Sequence, residues 1–226
     1  MKVEVHYKHS NTAAKIELES GESCTTEAGS MVAMNSHIGV ETTTHKRGKG
    51  SILKSLKRMI TGESFFLNHY TARQPGEIWV STTLPGDIEV HELQGQRLIV
   101  QAGSFLAAED DVEIDAGWQG FKGLLSGEWL FWLKLTGQGK VLLSSFGTIY
   151  AVDVEDEYVV DTGHIVAFDE SLKFDISKAG TSWIKSFLGG EGLVCRFKGK
   201  GRVYCQSHHP REFGLSLRPH LKVKRR

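Results

Sequence analysis

A mainly β chain built of three internal repeats is the fold that this sequence predicts, and three observations predict it. Glycine is abundant and proline scarce, 25 against 4 in 226 residues, a balance suited to many tight turns between strands. One glycine-anchored pattern occurs three times along the chain. Three later segments each place a glycine-centred turn between apolar runs of strand length.

The repeated passages are Glu27-Ala28-Gly29-Ser30, Gln101-Ala102-Gly103-Ser104 and Asp161-Thr162-Gly163-His164, each followed by an apolar stretch. Four residues after each glycine stands an alanine: Ala33, Ala107 and Ala167. Nine residues after it stand Ile38, Val112 and Leu172, and eleven after it Val40, Ile114 and Phe174. That two-residue period is the mark of a strand with one buried face, so each passage predicts strand, turn, strand.

A second anchor follows in each copy, Gly62-Glu63, Gly127-Glu128 and Gly190-Glu191. Before it, Leu56, Met59 and Ile60, then Phe121, Leu124 and Leu125, then Ile184, Phe187 and Leu188 share a helical spacing. Residues 51–61 thus read as a short amphipathic helix ended by glycine, while Gly117, Gly120 and Gly123 weaken its second counterpart. After the anchor, residues 65–70 and 77–82, 129–135 and 140–145, and 193–198 and 202–207 are expected to form hairpins. Cys195 and Cys205, symmetric about Lys200, are then expected to face one another as free thiols. Units of roughly 65 residues bury too little surface alone, so one domain is predicted over 1–210. Its repeats span about 1–85, 86–147 and 148–210, and a basic tail, 211–226, is expected to be solvated and without pattern.

The passages just quoted, with Gly189-Gly190-Glu191-Gly192 after Asp161-Thr162-Gly163-His164, carry a family resemblance. The chain resembles the altered-inheritance-of-mitochondria family, formerly a domain of unknown function, from about Met1 to His209. The resemblance implies a β-sandwich or barrel similar to the trp RNA-binding attenuation protein, and it implies little biochemistry. Mitochondrial members carry extra amino-terminal sequence, and this chain resembles the members without a leader.

Composition narrows the function. Lys+Arg 27 against Asp+Glu 27 leaves no global field to draw nucleic acid or an anionic membrane. The longest apolar run, Trp129 to Leu133, is far below the ~20 residues of a spanning helix, and the first residues lack the core of a secretory signal. Three cysteines without a CxxC pair give neither a disulfide framework nor a zinc signature, and a reducing cytoplasm is expected.

Chemistry-bearing motifs weigh against an enzyme. There is no Gly-x-Ser-x-Gly elbow and no phosphate-binding loop, and Gly137-x-Gly139 and Gly199-x-Gly201 read as turns. His208-His209 beside Cys205 offers ligand types without ligand spacing, and His164 replaces a serine of the other copies with no partner nucleophile in view. Glu63, Glu128 and Glu191 read as structural. No cofactor and no metal is expected.

Two surfaces remain. Lys57, Lys122 and Lys185 stand five residues before the three Gly-Glu glycines and are the candidate contacts for an anion or partner, although their stems equally cover apolar surface. The basic stretch 46–58 carries an apolar stripe that could meet a membrane surface, but matches the buried stripes of the other copies. Alternation cannot hide all of residues 129–133 on one face, so Trp129 and Trp132 are the candidate interface, facing either the core or another chain. The function expected is a non-enzymatic scaffold acting through protein partners or self-association, with a small-ligand or nucleic-acid binding module as the alternative.

Overall fold

A computed structural model describes residues 1–9, 11–43, 66–116, 132–178 and 193–221. The region of the first expected repeat contains β1 (Lys2–His6), β2 (Ala13–Leu18), β3 (Ser23–Glu27), β4 (Met31–Met34), β5 (Ile38–Thr43), β6 (Leu67–Ala72) and β7 (Gly76–Ser81). The second contains β8 (Ile88–Gln94), β9 (Leu98–Gln101), β10 (Phe105–Glu109), β11 (Val112–Asp115) and the long β12 (Trp132–Ser144). The third contains β13 (Ile149–Val154), β14 (Glu157–Asp161), β15 (Ile165–Asp169), β16 (Lys173–Lys178), β17 (Leu193–Lys198) and β18 (Gly201–Gln206). The chain is mainly β, and every strand ladder is antiparallel.

The strands make three sheets: β1-β2-β7-β4, β14-β17-β16, and a larger one running β13-β18-β15-β9-β12-β10-β3-β6-β5, with β8 and β11 also on β12. The described strands form no closed barrel, in contrast to the barrel alternative. Each glycine-anchored passage forms two successive strands: β4 and β5, β10 and β11, β15 and β16. In each, the ladder slips one residue just before the repeated alanine, between Met31 and Ala33, Phe105 and Ala107, and Ile165 and Ala167. Such a slip is a β-bulge, which bends the strand and adds local twist. The position nine residues after the glycine is buried in all three, at Ile38, Val112 and Leu172.

The expected hairpins are not hairpins. β6 pairs with β3 and β5, whereas β7 pairs with β2 and β4. β17 pairs with β14 and β16, whereas β18 pairs with β13 and β15. In β12 the chain stays extended through Gly137 and Gly139, with residues 132–135 on β9 and 138–144 on β8. Each turn therefore carries the chain from one set of partners to another. Loop backbone supports the change of direction: Gly21 N donates to Ala72 O, Gly95 N to Gly137 O and Gly199 N to Asp156 O. The register expected for the cysteines fails for the same reason. Cys195 sits opposite Val160 and Ile176, and Cys205 opposite Tyr150 and Ile165, in separate sheets of one shared core. Both thiols are free and buried, and burial pushes Cys195 up to about 12 and Cys205 up to about 11.

Three apolar clusters fill the space between sheets, and each draws on more than one stretch of chain. One joins Leu67 to Leu98, Phe105, Leu133 and Tyr204; a second joins Ile16 and Ile78 to Ile88 and Leu142. The third joins Ile99 and Trp132 to Phe168, Phe197 and Val203. The tail is more ordered than expected: Pro210–Leu217 is a helix, α1, whose N-cap His209 accepts from Glu212 N. Phe213 on α1 packs against Phe146 with ring centroids 5.1 Å apart and the rings tilted by 56°. Among the described residues no helix is long and apolar enough to cross a membrane.

Candidate functional site

A cleft of about 810 Å³ opens where β8, β13 and β18 meet the turns at residues 95–97, 169–171 and 199–200. At its wall His91 Nδ1 lies 2.8 Å from the Tyr204 hydroxyl, the rings edge to face. Burial holds the imidazole below its ordinary pKa, hence neutral at pH 7, and pushes the phenol up. His91 Nε2 is buried and has no hydrogen-bond partner among the described residues. Around this pair, Arg202 Nε donates to Asp153 at 2.7 Å, its backbone N–H donates to Asp169 at 2.7 Å, and Arg97 pairs with Glu170 at 3.0 Å. The carboxylate of Asp153 raises the Arg202 guanidinium, so that cation stays charged. These groups can hold a polar molecule carrying both signs of charge. They contain no activated nucleophile with a base beside it.

The residues singled out in the sequence fall elsewhere. Lys57, Lys122, Lys185 and Trp129 lie outside the described residues, as do the helix expected over 51–61 and the three Gly-Glu anchors. Trp132 is a core side chain, 3% exposed, packed edge-on to Phe168 at 5.6 Å. It thus takes the core alternative, because β12 turns it inward between β9 and the third cluster. His164 Nδ1 meets the Gln206 carbonyl at 2.8 Å and its ring faces His209. His208 packs at a tilt against Phe146 and meets the Ser207 hydroxyl, whereas Cys205 is buried in the core. Among the described residues, no three His, Cys, Asp or Glu side chains are grouped to hold a metal ion.

The surface feature that the sequence did not reveal is β4. Its four residues, Met31-Val32-Ala33-Met34, are all exposed, with Val32 at 63%. Their counterparts Phe105 to Ala108 in β10 and Ile165 to Phe168 in β15 are at most 1% exposed. The difference is a missing neighbour. β10 pairs with β3 and β15 pairs with β9, whereas among the described residues β4 has β7 alone as a ladder partner. An apolar strand open along one edge is a template for another strand.

Beside it, at the end of β3, burial pushes the Glu27 carboxyl up to about 7. The folded state therefore keeps a proton that the unfolded chain releases near pH 4.5, and stability falls as pH rises from about 5 to 7, then levels. Glu27→Gln removes this loss. Urea unfolding is expected to show the variant matching the parent at pH 4 and exceeding it at pH 8; equal stability at pH 8 would contradict the burial of the carboxylate.

With this geometry in view, the comparisons with known proteins agree on one group. The model of the mitochondrial biogenesis AIM24 family matches residues 3–208. The chain belongs to that family. A relative, an uncharacterized protein of Streptococcus pyogenes serotype M6, is 30% identical over 215 residues, covering 92% of this chain and 86% of the relative. A crystal structure of a Streptococcus pyogenes protein superposes with a TM-score of 0.81 at 27% identity, over 97% of this chain and 99% of that one. These family relatives share the fold and bring no named activity.

Proposed function

We propose that this AIM24-family chain is a non-enzymatic protein-interaction scaffold. In this reading it is a three-repeat β domain similar in fold to the trp RNA-binding attenuation protein. The recurring pairings support the repeat: β4, β10 and β15 each pair with the strand that follows a cross-sheet turn, β7, the second half of β12 and β18. The observation that carries the interaction reading is the exposure of the apolar β4 where both counterparts are buried. A large apolar residue at an open sheet edge is a recognition surface. The test is affinity capture with the immobilised chain against a Val32→Lys variant of unchanged circular dichroism. The parent is expected to retain protein that the variant loses. Identical retained sets would overturn the reading.

A second reading, a small-ligand module, is favoured by the buried, unpartnered Nε2 of His91 at the charged cleft. A zwitterionic amino acid or small peptide is the ligand class it suits. Nucleic acid suits the cleft poorly, since its acidic groups match its basic ones.

A further inference from the structure

The open edge of β4 has a counterpart at the other end of the chain. Among the described residues β14 pairs with β17 alone, and its Tyr158 and Val159 are each 44% exposed. Neither strand carries the lysine or proline that blunts a free sheet edge.

Two junctions already made within the chain show what these edges fit. Where β10 meets β3, Ala107 faces Thr26, Ala108 faces Thr25 and Glu109 faces Cys24. Where β15 meets β9, Ala167 faces Val100, Phe168 faces Ile99 and Asp169 faces Leu98. Both obey one rule. Residues four, five and six after one anchor glycine face residues three, four and five before the preceding anchor glycine. Each junction joins one repeat to the repeat before it. Among the described residues this junction is made twice, and β4 of the first repeat and β14 of the third are its two unused halves.

We infer that β4 of one copy pairs antiparallel with β14 of a second copy, placing Ala33 opposite Val160, Met34 opposite Val159 and Asn35 opposite Tyr158. The inference rests on the scaffold reading and names its partner as this chain itself. The pairing satisfies backbone groups on both edges and puts alanine and methionine against valines and asparagine against tyrosine, with no like charges opposed. It joins the four-stranded and three-stranded sheets, giving β2-β7-β4-β14-β17-β16. That order is equivalent to β13-β18-β15-β9-β12-β11, which the chain forms within itself. The contact uses two different surfaces, so copies add head to tail, into a closed ring or an open filament according to the rotation between them.

The register gives the test. Facing positions in adjacent strands have Cβ atoms about 5 Å apart, within disulfide reach after small adjustment. Met34→Cys and Val159→Cys chains are purified separately, reduced, mixed and oxidised with diamide. Both positions are exposed and the three native thiols are buried, so the introduced thiols react selectively. The mixture is expected to give a reducible species of twice the chain mass, at least tenfold more abundant than from either variant alone. Light scattering of the parent is expected to give a whole multiple of the chain mass. A monomeric parent across micromolar concentrations, or a double Met34→Cys/Val159→Cys chain that cross-links only within itself, would overturn the inference. A monomeric parent that still captures other proteins, and loses them with Val32→Lys, would overturn this inference while leaving the scaffold reading in place.

Discussion

Gly86→Ala is expected to cost about 3 kcal/mol or more and to lower the melting temperature by roughly 6–12 °C. A β carbon at residue 86 would stand 1.7 Å from the Ser145 carbonyl oxygen, inside any permitted contact. What it would strike is backbone, fixed on several sides. Thr12 N donates to Gly86 O at 3.1 Å, Asp87 N to Gly147 O at 3.1 Å, Ser145 N to Asp87 O at 3.1 Å and Gly147 N to Pro85 O at 2.9 Å. Moving residue 86 away also moves Asp87, a carboxylate 2% exposed that accepts from the Thr12 hydroxyl and from Ile88 N. Breaking a satisfied buried network leaves its members unpaired, and that loss adds to the clash. Gly103→Ala is the control. No atom stands within 4 Å of its added methyl group, and its φ is not in the left-handed region, so its melting temperature should stay within about 2 °C of the parent. Thermal denaturation followed by circular dichroism measures both, and an unshifted Gly86→Ala variant would contradict the close approach of the two loops.

Phe168→Ala is expected to be as damaging by the opposite route, a cavity instead of a collision. The ring is fully buried and lies 5.6 Å from Trp132, 5.4 Å from Phe174 and 5.0 Å from Phe197, centroid to centroid. It also faces Ile99 across the junction of β15 with β9. Truncating a core phenylalanine typically costs about 3–5 kcal/mol, because transfer energy is lost and rigid neighbours cannot refill the space. For a chain of this size that is a fall of roughly 6–20 °C in melting temperature. Phe168→Leu should recover more than half of the loss by keeping most of the volume. Urea denaturation gives the comparison, and a Phe168→Ala midpoint equal to the parent's would show that the third cluster is not packed around this ring.

The sequence carried the local strand pattern further than the partnership between strands. The spacing from each glycine to Ile38, Val112 and Leu172 was enough to place a buried strand position, since alternation is a property of one strand. Gly199-Lys200-Gly201 marked the break between β17 and β18, but a hairpin turn within one sheet and a passage between two sheets need the same residues. Leu193, Cys195 and Phe197 face inward, and so do Val203 and Cys205, whether the two strands lie side by side or across a core. The exposure of β4 was hidden for a related reason. Met-Val-Ala-Met has the apolar character of Phe-Leu-Ala-Ala and Ile-Val-Ala-Phe, and only its missing neighbour separates them. The cleft was illegible because His91, Arg97, Asp153, Glu170 and Arg202 come from five separate places in the chain and match no spacing motif. The loop pairs Gly95–Gly137 and Asp156–Gly199, which mark where loops converge, are visible only as hydrogen bonds of the folded chain.

The junctions between repeats also set a timetable for a chain emerging from the ribosome. Thr25 in β3 waits for Ala108 in β10, 83 residues later, and Ile99 in β9 waits for Phe168 in β15, 69 residues later. At about 5–20 residues per second, each edge stays bare for several seconds during synthesis. A nascent chain stalled before β10 displays β3 and β4 together, which makes the first repeat, rather than the finished protein, the form most in need of a chaperone.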